Sequence, residues 1–497
     1  MIKSIKYICI IQIIFSFIFS QNIIQPNSLL FPKNKLTNEL RFFNNDQSSI
    51  RTNNFLLSFH VNIALNSGHS NIDNNAEFFS AGKFNYMRSF RLEYSNNWLF
   101  IELEPYSLLR NNIFNGFKVN NSFQFVNNNT NGNGKLISNP SGLKQSQIII
   151  HYKGLGIGYG NINHWWGNGF HSSISLTSNS PSQETFSLGT FNNIKIGNLL
   201  FYSKIIIRPF KNYDNDQIYF SGLRFNLSYV SNPIISIGFN RFYMSGNFDN
   251  LNQLSSLTDP WGFNDALSLV FEPIFGENKR KLDYTIPNTP GFDIWDETLS
   301  GNIKLVFPND NLEFYLELVS DDNRANLTDL TSHWDHTLGY TIGIKKFSKL
   351  NSNPIFFGIE YLSTKPSNTF KPDFYRGDGY EINYFTRVMY NHFTYNTRFM
   401  GPHSGSSSDD LIFLLGYGHK NSIIFLSYNI ERHGLKSWSF PEYKKEISIL
   451  FDYELDTQNK IFLNIEREKI INYGFEAHNI SISNMVWLGY SHYFYKN

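Results

Sequence analysis

The chain has 497 residues and a formal net charge of +1, which excludes the broad positive field that a nucleic-acid binder needs. Charged residues make up 17%, below the roughly 25% of soluble domains, while aromatic residues also reach 17%. That balance suits an apolar outer surface with aromatic girdles.

In chain order, residues 1–20 read as an export signal. Lys3 and Lys6 precede an apolar run from Tyr7 to Phe19, interrupted by Gln12 and Ser16, and Ser20 offers a small-residue cleavage point. The run is shorter than the roughly 20 residues of a membrane-spanning helix. Cys9 is the sole cysteine and lies inside it, so no disulfide or cysteine-bound metal is expected after cleavage. Residues 21–53 read as an N-terminal periplasmic segment, and 54–497 as one outer-membrane β-barrel. No later stretch has some 18 consecutive apolar residues, and only helices and closed barrels satisfy their backbone groups in lipid.

Period-two alternation supports the barrel. Phe55, Leu57, Phe59, Val61, Ile63 and Leu65 alternate with Ser58, His60 and Asn62. Leu99, Ile101 and Leu103 oppose Glu102 and Glu104; Leu223, Phe225, Leu227 and Tyr229 oppose Arg224, Asn226 and Ser228. Leu312, Phe314, Leu316 and Leu318 oppose Glu313, Tyr315 and Glu317. Ile447, Ile449 and Phe451 oppose Glu446, Ser448 and Asp452, and Ile461, Leu463 and Ile465 oppose Asn464, Glu466 and Glu468. Each pattern fits a tilted membrane strand with lipid on one face and water on the other. A soluble sandwich or propeller also alternates, but the connections here alternate in length as well. Short turns at Pro308–Asn311, His419–Asn421 and Asp456–Asn459 are separated by polar stretches at 321–335, 363–378, 401–409 and 431–443. That is the outer-membrane pattern of short periplasmic turns and long outer loops.

About 22 strand-like segments can be counted, implying an even wall of roughly 16–20 strands. The long–short alternation breaks between Thr190 and Pro308, and part of Ser172–Phe191 is expected to fold into the lumen as a plug. The last segment, Val486 to Tyr495, fits a terminal barrel strand. Its aromatics fall in both phases, with Tyr490 and Phe494 against Trp487, Tyr493 and Tyr495.

The most distinctive stretch is Asn163-His164-Trp165-Trp166-Gly167-Asn168-Gly169-Phe170-His171-Ser172-Ser173, continuing to Pro181. Tryptophans followed by small polar groups suit the apolar face of a sugar ring; the other reading is packing around a tight bend. The run Trp166–Phe170, with Ser173, Leu176 and Asn179-Ser180-Pro181, resembles the tryptophan-glycine-proline-glycine signature of the Wzi capsule-assembly family. Gly401-Pro402-His403-Ser404-Gly405 with Ser408-Asp409-Asp410-Leu411 resembles a second segment of that family. Asn311 to Glu317, followed by Asp321-Asp322, resembles a third. Asn168 stands where the family has proline, and residues 21–54 lack the helical bundle of enterobacterial members.

The resemblance implies an 18-stranded outer-membrane barrel that acts as a surface lectin. It would hold capsular or other exported polysaccharide without catalysis, in the outer membrane of a Gram-negative-type cell. The expected partners are that polysaccharide, outer-membrane lipids and the barrel-assembly machinery, with the chain a monomer and no cofactor or metal.

Three outer stretches mix aromatic, acidic and basic groups: His333-Trp334-Asp335-His336, Arg376-Gly377-Asp378, and Glu431-Arg432-His433 with Trp438. Sugar hydroxyls take such donors and acceptors, and Arg376 and Arg432 suit uronic-acid carboxylates. The alternative for each is a solvated loop. Polysaccharide-binding candidates are therefore Trp165, Trp166, Trp334, Arg376, Asp378, His403, Asp409, Arg432 and Trp438. The family-motif residues are Trp166, Gly167, Gly169, Ser173, Asn179 and Pro181.

An enzyme is not expected. Adjacent Asp409 and Asp410 on a strand point to opposite faces and cannot form a glycosidase pair. His333 and His336 have neither helical periodicity nor a second ligand cluster around them. The rival class is a diffusion porin, with Glu102, Glu104, Glu313, Glu317, Glu360, Glu446 and Glu454 lining a wet lumen.

Overall fold

The computed structural model describes residues 54–69, 73–75, 77–78, 84–111, 140–211, 217–247, 296–321, 338–365, 393–396, 398–435 and 439–496. Residues 1–20, read as an export signal, and 21–53, read as a periplasmic segment, lie outside them. The first half of the described chain forms β1 (Asn54–Asn66), β2 (Phe84–Ser95), β3 (Leu99–Leu103), β4 (Pro105–Asn111), β5 (Ser141–Leu143), β6 (Ser146–Tyr152), β7 (Leu155–Ile162), β8 (Gln183–Thr190), β9 (Ile194–Ile196), β10 (Leu199–Lys211), β11 (Gln217–Tyr229) and β12 (Ile234–Asn247). The second half forms β13 (Asp296–Phe307), β14 (Leu312–Asp321), β15 (Leu338–Leu350), β16 (Asn353–Ser363), β17 (Thr394–Tyr395), β18 (Arg398–Phe399), β19 (Asp409–His419), β20 (Ser422–His433), β21 (Glu442–Glu454), β22 (Asn459–Ile471) and β23 (Ile480–Lys496).

Several segments are pieces of one strand. β3 and β4 both pair with β2, and β8 and β9 both pair with β10. β6 and β5 continue one another beside β3 and β4. β17 and β18 form a small separate hairpin. The 21 segments of the main sheet thus build 18 wall strands, all antiparallel to their neighbours. The sheet closes where β1 pairs with β23, from Leu56 opposite Lys496 to Asn66 opposite Met485. Closure leaves no strand edge in lipid, where an unpaired N–H or C=O costs several kcal/mol.

The period-two faces sort as expected. Ile148, Ile150, Ile235, Ile237, Leu415 and Ile447 are among the large apolar side chains exposed on the outside. Alternate positions such as Glu102, Arg224, Asn240, Glu317, Glu360 and Glu431 are buried within. The aromatics of β23 occupy both phases already in the regular register, with Tyr490 opposite Val61 and Trp487 opposite Ala64, and the register with β1 shifts only beyond Ser58 and Tyr493. Trp487 points inward and donates Nε1–H to Asn62 Oδ1 at 3.0 Å.

Two expectations need correction. The wall strands still alternate in direction between Thr190 and Pro308, with short turns at 197–198, 230–233 and 308–311, although the connection at 212–216 has only five residues. The apparent extra strand arises because β8 and β9 are halves of one interrupted strand, and because 163–182 is not wall. The stretch 431–443 is also not all loop. β20 runs to His433 and β21 starts at Glu442, so Glu431, Arg432 and His433 belong to the wall.

Candidate functional site

Residues 163–182, between β7 and β8, fold into the lumen. Their only ladder contact is an isolated bridge between Trp166 and Leu176, and nearly every residue is buried. The expected plug is therefore present, but it begins at Asn163 and ends at Ser182; residues 183–190 are wall.

The plug is held by inward carboxylates of the barrel. Glu360 on β16 accepts the backbone N–H of Phe170 at 2.6 Å and of Ser172 at 2.7 Å, and it lies 3.3 Å from the His171 N–H. Tyr315 on β14 donates its hydroxyl to the same carboxylate. Glu317, two residues along, accepts from Ser175 Oγ and, at 3.3 Å, from Ser173 Oγ. Backbone N–H groups in a non-repetitive segment have no ladder to satisfy them, so buried charged acceptors serve instead. Arg224 on β11 donates to the Trp165 carbonyl at 3.1 Å. Asn168 donates to Asn302 on β13 at 3.2 Å, a tie that a proline at that position would not provide.

The motif glycines are required by this close approach. A Cβ on Gly169 would lie 1.8 Å from the Ser172 carbonyl oxygen and 3.0 Å from both Glu360 oxygens. A Cβ on Gly167 would lie 2.0 Å from Ser173 Oγ and 2.8 Å from Glu317 Oε2.

A second inward segment, 398–408, lies against the plug. Thr177 N–H donates to the Met400 carbonyl at 2.8 Å, and Asn179 Nδ2 donates to the Phe399 carbonyl at 3.1 Å. Arg398 returns a hydrogen bond to Asn179 Oδ1 at 3.1 Å. Pro181, the last motif residue, is buried at the end of the same turn. The three stretches singled out in the sequence, around Trp166, His403 and Glu313–Glu317, thus meet inside one lumen.

The site candidates separate into three groups. Trp165 and Trp166 are both 0% exposed. Trp165 donates Nε1–H to the Gly169 carbonyl at 3.0 Å, and Trp166 stacks on Phe242 at 5.6 Å between ring centroids. Of the two readings for these rings, packing around a bend is the one this geometry holds, since neither offers a face to a sugar. His403 is also interior, with its ring 4.8 Å from that of His171. Asp409 and Arg432 face the other way: they form an ion pair on the outer phase of β19 and β20, beside Tyr361 and Lys365. Trp334, Arg376, Asp378 and Trp438 lie outside the described residues.

Asp410 points inward, opposite to Asp409, and lies 3.2 Å from His171 Nε2 and 3.3 Å from His403 Nε2. Burial opposes charge on both rings. Asp410 beside His171, and Asp73 and Glu431 beside His403, outweigh that and raise both imidazoles above their ordinary value. This group was not foreseen, because its members come from four separate segments and no local spacing announces it.

Four of the other inward carboxylates are likewise engaged. Glu102 pairs with Arg91 at 2.5 Å, Glu104 with Lys144 at 2.6 Å, Glu313 with Lys345 at 2.6 Å and Glu446 with Lys444 at 3.3 Å.

By structure, the chain is similar to Wzi, an outer membrane protein involved in group 1 capsule assembly in Escherichia coli and a carbohydrate-binding β-barrel. The match covers 87% of this chain and 83% of that one, with a TM-score of 0.55 and 10% identity. Pseudomonas aeruginosa OpdQ is similar over 90% of this chain and 100% of its own, with a TM-score of 0.42 and 10% identity. Acinetobacter baumannii OccAB2 covers 89% and 98%, with a TM-score of 0.42 and 8% identity. No protein-family profile and no curated protein matches the sequence. At these identities the likeness establishes fold, a closed 18-stranded barrel of the outer-membrane type.

Proposed function

We propose that this chain binds exported polysaccharide, capsular or similar, at the cell surface and holds it there without catalysis. The supporting observation is the buried plug, residues 163–182. The carboxylates that would line a wet pore are engaged with the plug or with neighbouring cations, as Glu360 is with the N–H groups of Phe170 and Ser172. A large ligand is then left with the end of the barrel that carries the long connections, the outer end in barrels of this type.

That end offers suitable chemistry. Arg432 and Lys365 keep side chains 39% and 41% exposed beside Asp409, so uronic-acid carboxylates and sugar hydroxyls would both find partners. Trp334, Arg376, Asp378 and Trp438 belong to the connections between β14 and β15, β16 and β19, and β20 and β21. They are the proposed platforms and polar contacts for the glycan.

One observation favours a second reading, a narrow channel for small solutes. A cavity of about 110 Å³ lies between the plug and β19–β23, lined in part by Asp73, Glu446, Glu466, Ser427 and Asn464.

The test is binding of the purified barrel to polysaccharide extracted from its own cell, together with conductance in planar bilayers. The proposal expects saturable binding, no large open-channel steps, and weaker retention when Trp334 and Trp438 are both changed to alanine in a barrel that still assembles. Absent binding combined with large steps would replace it with the channel.

A further inference from the structure

The inward cluster of His171, His403, Asp410 and Glu431 has the composition and spacing of a metal centre. One ligand atom from each residue lies within 4.8 Å of all the others. The four come from separate pieces of chain: His171 from the plug, His403 from the second inward segment, Asp410 from β19 and Glu431 from β20.

Distances distinguish a metal site from a set of direct ion pairs. A charge-assisted N–H···O bond is roughly 2.7–2.9 Å long. Here His171 Nε2 and Asp410 Oδ2 are 3.2 Å apart, His403 Nε2 and Asp410 Oδ2 3.3 Å, and His403 Nε2 and Glu431 Oε1 3.6 Å. Four donors at about 2.0–2.2 Å from a tetrahedral zinc ion would stand about 3.3–3.6 Å from one another. The three spacings, from 3.2 to 3.6 Å, lie near the edges of that tetrahedron and are longer than charge-assisted bonds.

A second observation concerns hydrogen bonding. His403 Nε2 and Asp410 Oδ2 are buried, lie 3.3 Å apart and make no hydrogen bond of normal geometry, whereas Glu431 Oε1 already meets Lys444. A buried imidazole nitrogen and carboxylate oxygen held at that separation would be better satisfied by a cation shared between them. Supporting contacts are also in place. Asp410 Oδ1 accepts from Asn429 at 2.6 Å; Asn74 Nδ2 lies 3.1 Å from His403 Nδ1, and its amide would have to turn its oxygen to that nitrogen for His403 to bind an ion through Nε2. Outer-shell ties of this kind orient metal ligands. Asn429 Nδ2 also lies 3.1 Å from His171 Nε2 and would give way to an ion there.

One cation is already nearby, since Lys444 lies 2.8 Å from Glu431 Oε1. It also meets Asp73, Glu446 and Glu468, so its charge is compensated without drawing on Asp410. Once an ion displaces the protons that Asp410 and Glu431 favour on the rings, two neutral imidazoles and two carboxylates leave a divalent cation electrically balanced, and such a nitrogen–oxygen set suits zinc.

We infer that His171, His403, Asp410 and Glu431 bind one zinc ion that joins the plug and the second inward segment to the barrel wall. All four positions are filled by protein, so the centre is structural. It stands whether or not the polysaccharide reading does.

The test uses the full chain without a polyhistidine tag, folded in detergent, stripped with chelator and reloaded with Zn²⁺ alone. The expected result is one zinc per chain by elemental analysis, with His403→Gln and Glu431→Gln each weakening binding by more than about tenfold. Cobalt substituted for zinc should give the strong visible absorption of a four-coordinate ion. Absence of bound zinc, equal retention by both variants, or a six-coordinate cobalt spectrum would overturn the inference. Should either variant fail to reach the heat-modifiable folded form, wild-type stoichiometry and the cobalt spectrum decide alone.

Discussion

Gly169 lies where the plug backbone turns against Glu360. The atom nearest to an added Cβ is a backbone oxygen, that of Ser172 at 1.8 Å, which cannot rotate away as a side chain would. Gly169→Ala is therefore expected to cost about 2–3 kcal/mol, read as a lower urea midpoint in detergent with the unfolding slope unchanged. An unchanged midpoint would mean that the turn has room the structure does not show. At this scale the sequence was informative about type and silent about partners. Gly167, Gly169 and the paired tryptophans stood out locally as a bend. That Glu360, some 190 residues away, caps the backbone of that bend could not be read from either segment.

The plug is an element with no secondary structure to hold it, so its cohesion comes from the wall and the second inward segment. Its apolar side packs Trp166, Ile174 and Leu176 against Phe220, Phe242 and Phe399. Its polar side is fixed by Glu317, Glu360 and Arg224. The ladder of the wall does not run through it: β7 pairs with β8 directly, and β8 with β10. Replacing 164–179 with a short glycine–serine linker should therefore leave a barrel that assembles and conducts in larger steps than the intact chain. A replaced barrel that conducts no more than the intact chain would show that the plug is not what fills the path. The presence of a plug was legible as an excess of strand-like segments. Its start at Asn163 was not, because a buried irregular segment carries the same mixture of apolar and small polar residues as a strand boundary.

At the scale of the molecule, closure between β1 and β23 makes the first and last described strands neighbours. Removing β23 would expose the edges of both β1 and β22, each with more than ten residues of unpaired backbone. The truncated chain is expected to give no heat-modifiable barrel on electrophoresis, whereas substitutions confined to the rim, such as Arg432→Ala, should leave the barrel intact. The sequence by itself determined the wall: period-two alternation and the rhythm of short turns are local properties, and lipid outside admits no sheet but a closed one. Only the tertiary structure decided what the lumen holds. The faces of Asp409 and Asp410, the burial of Trp165 and Trp166, and the meeting of His171, His403, Asp410 and Glu431 depend on contacts across the barrel. Those contacts join segments hundreds of residues apart, and no periodicity or spacing along the chain encodes them.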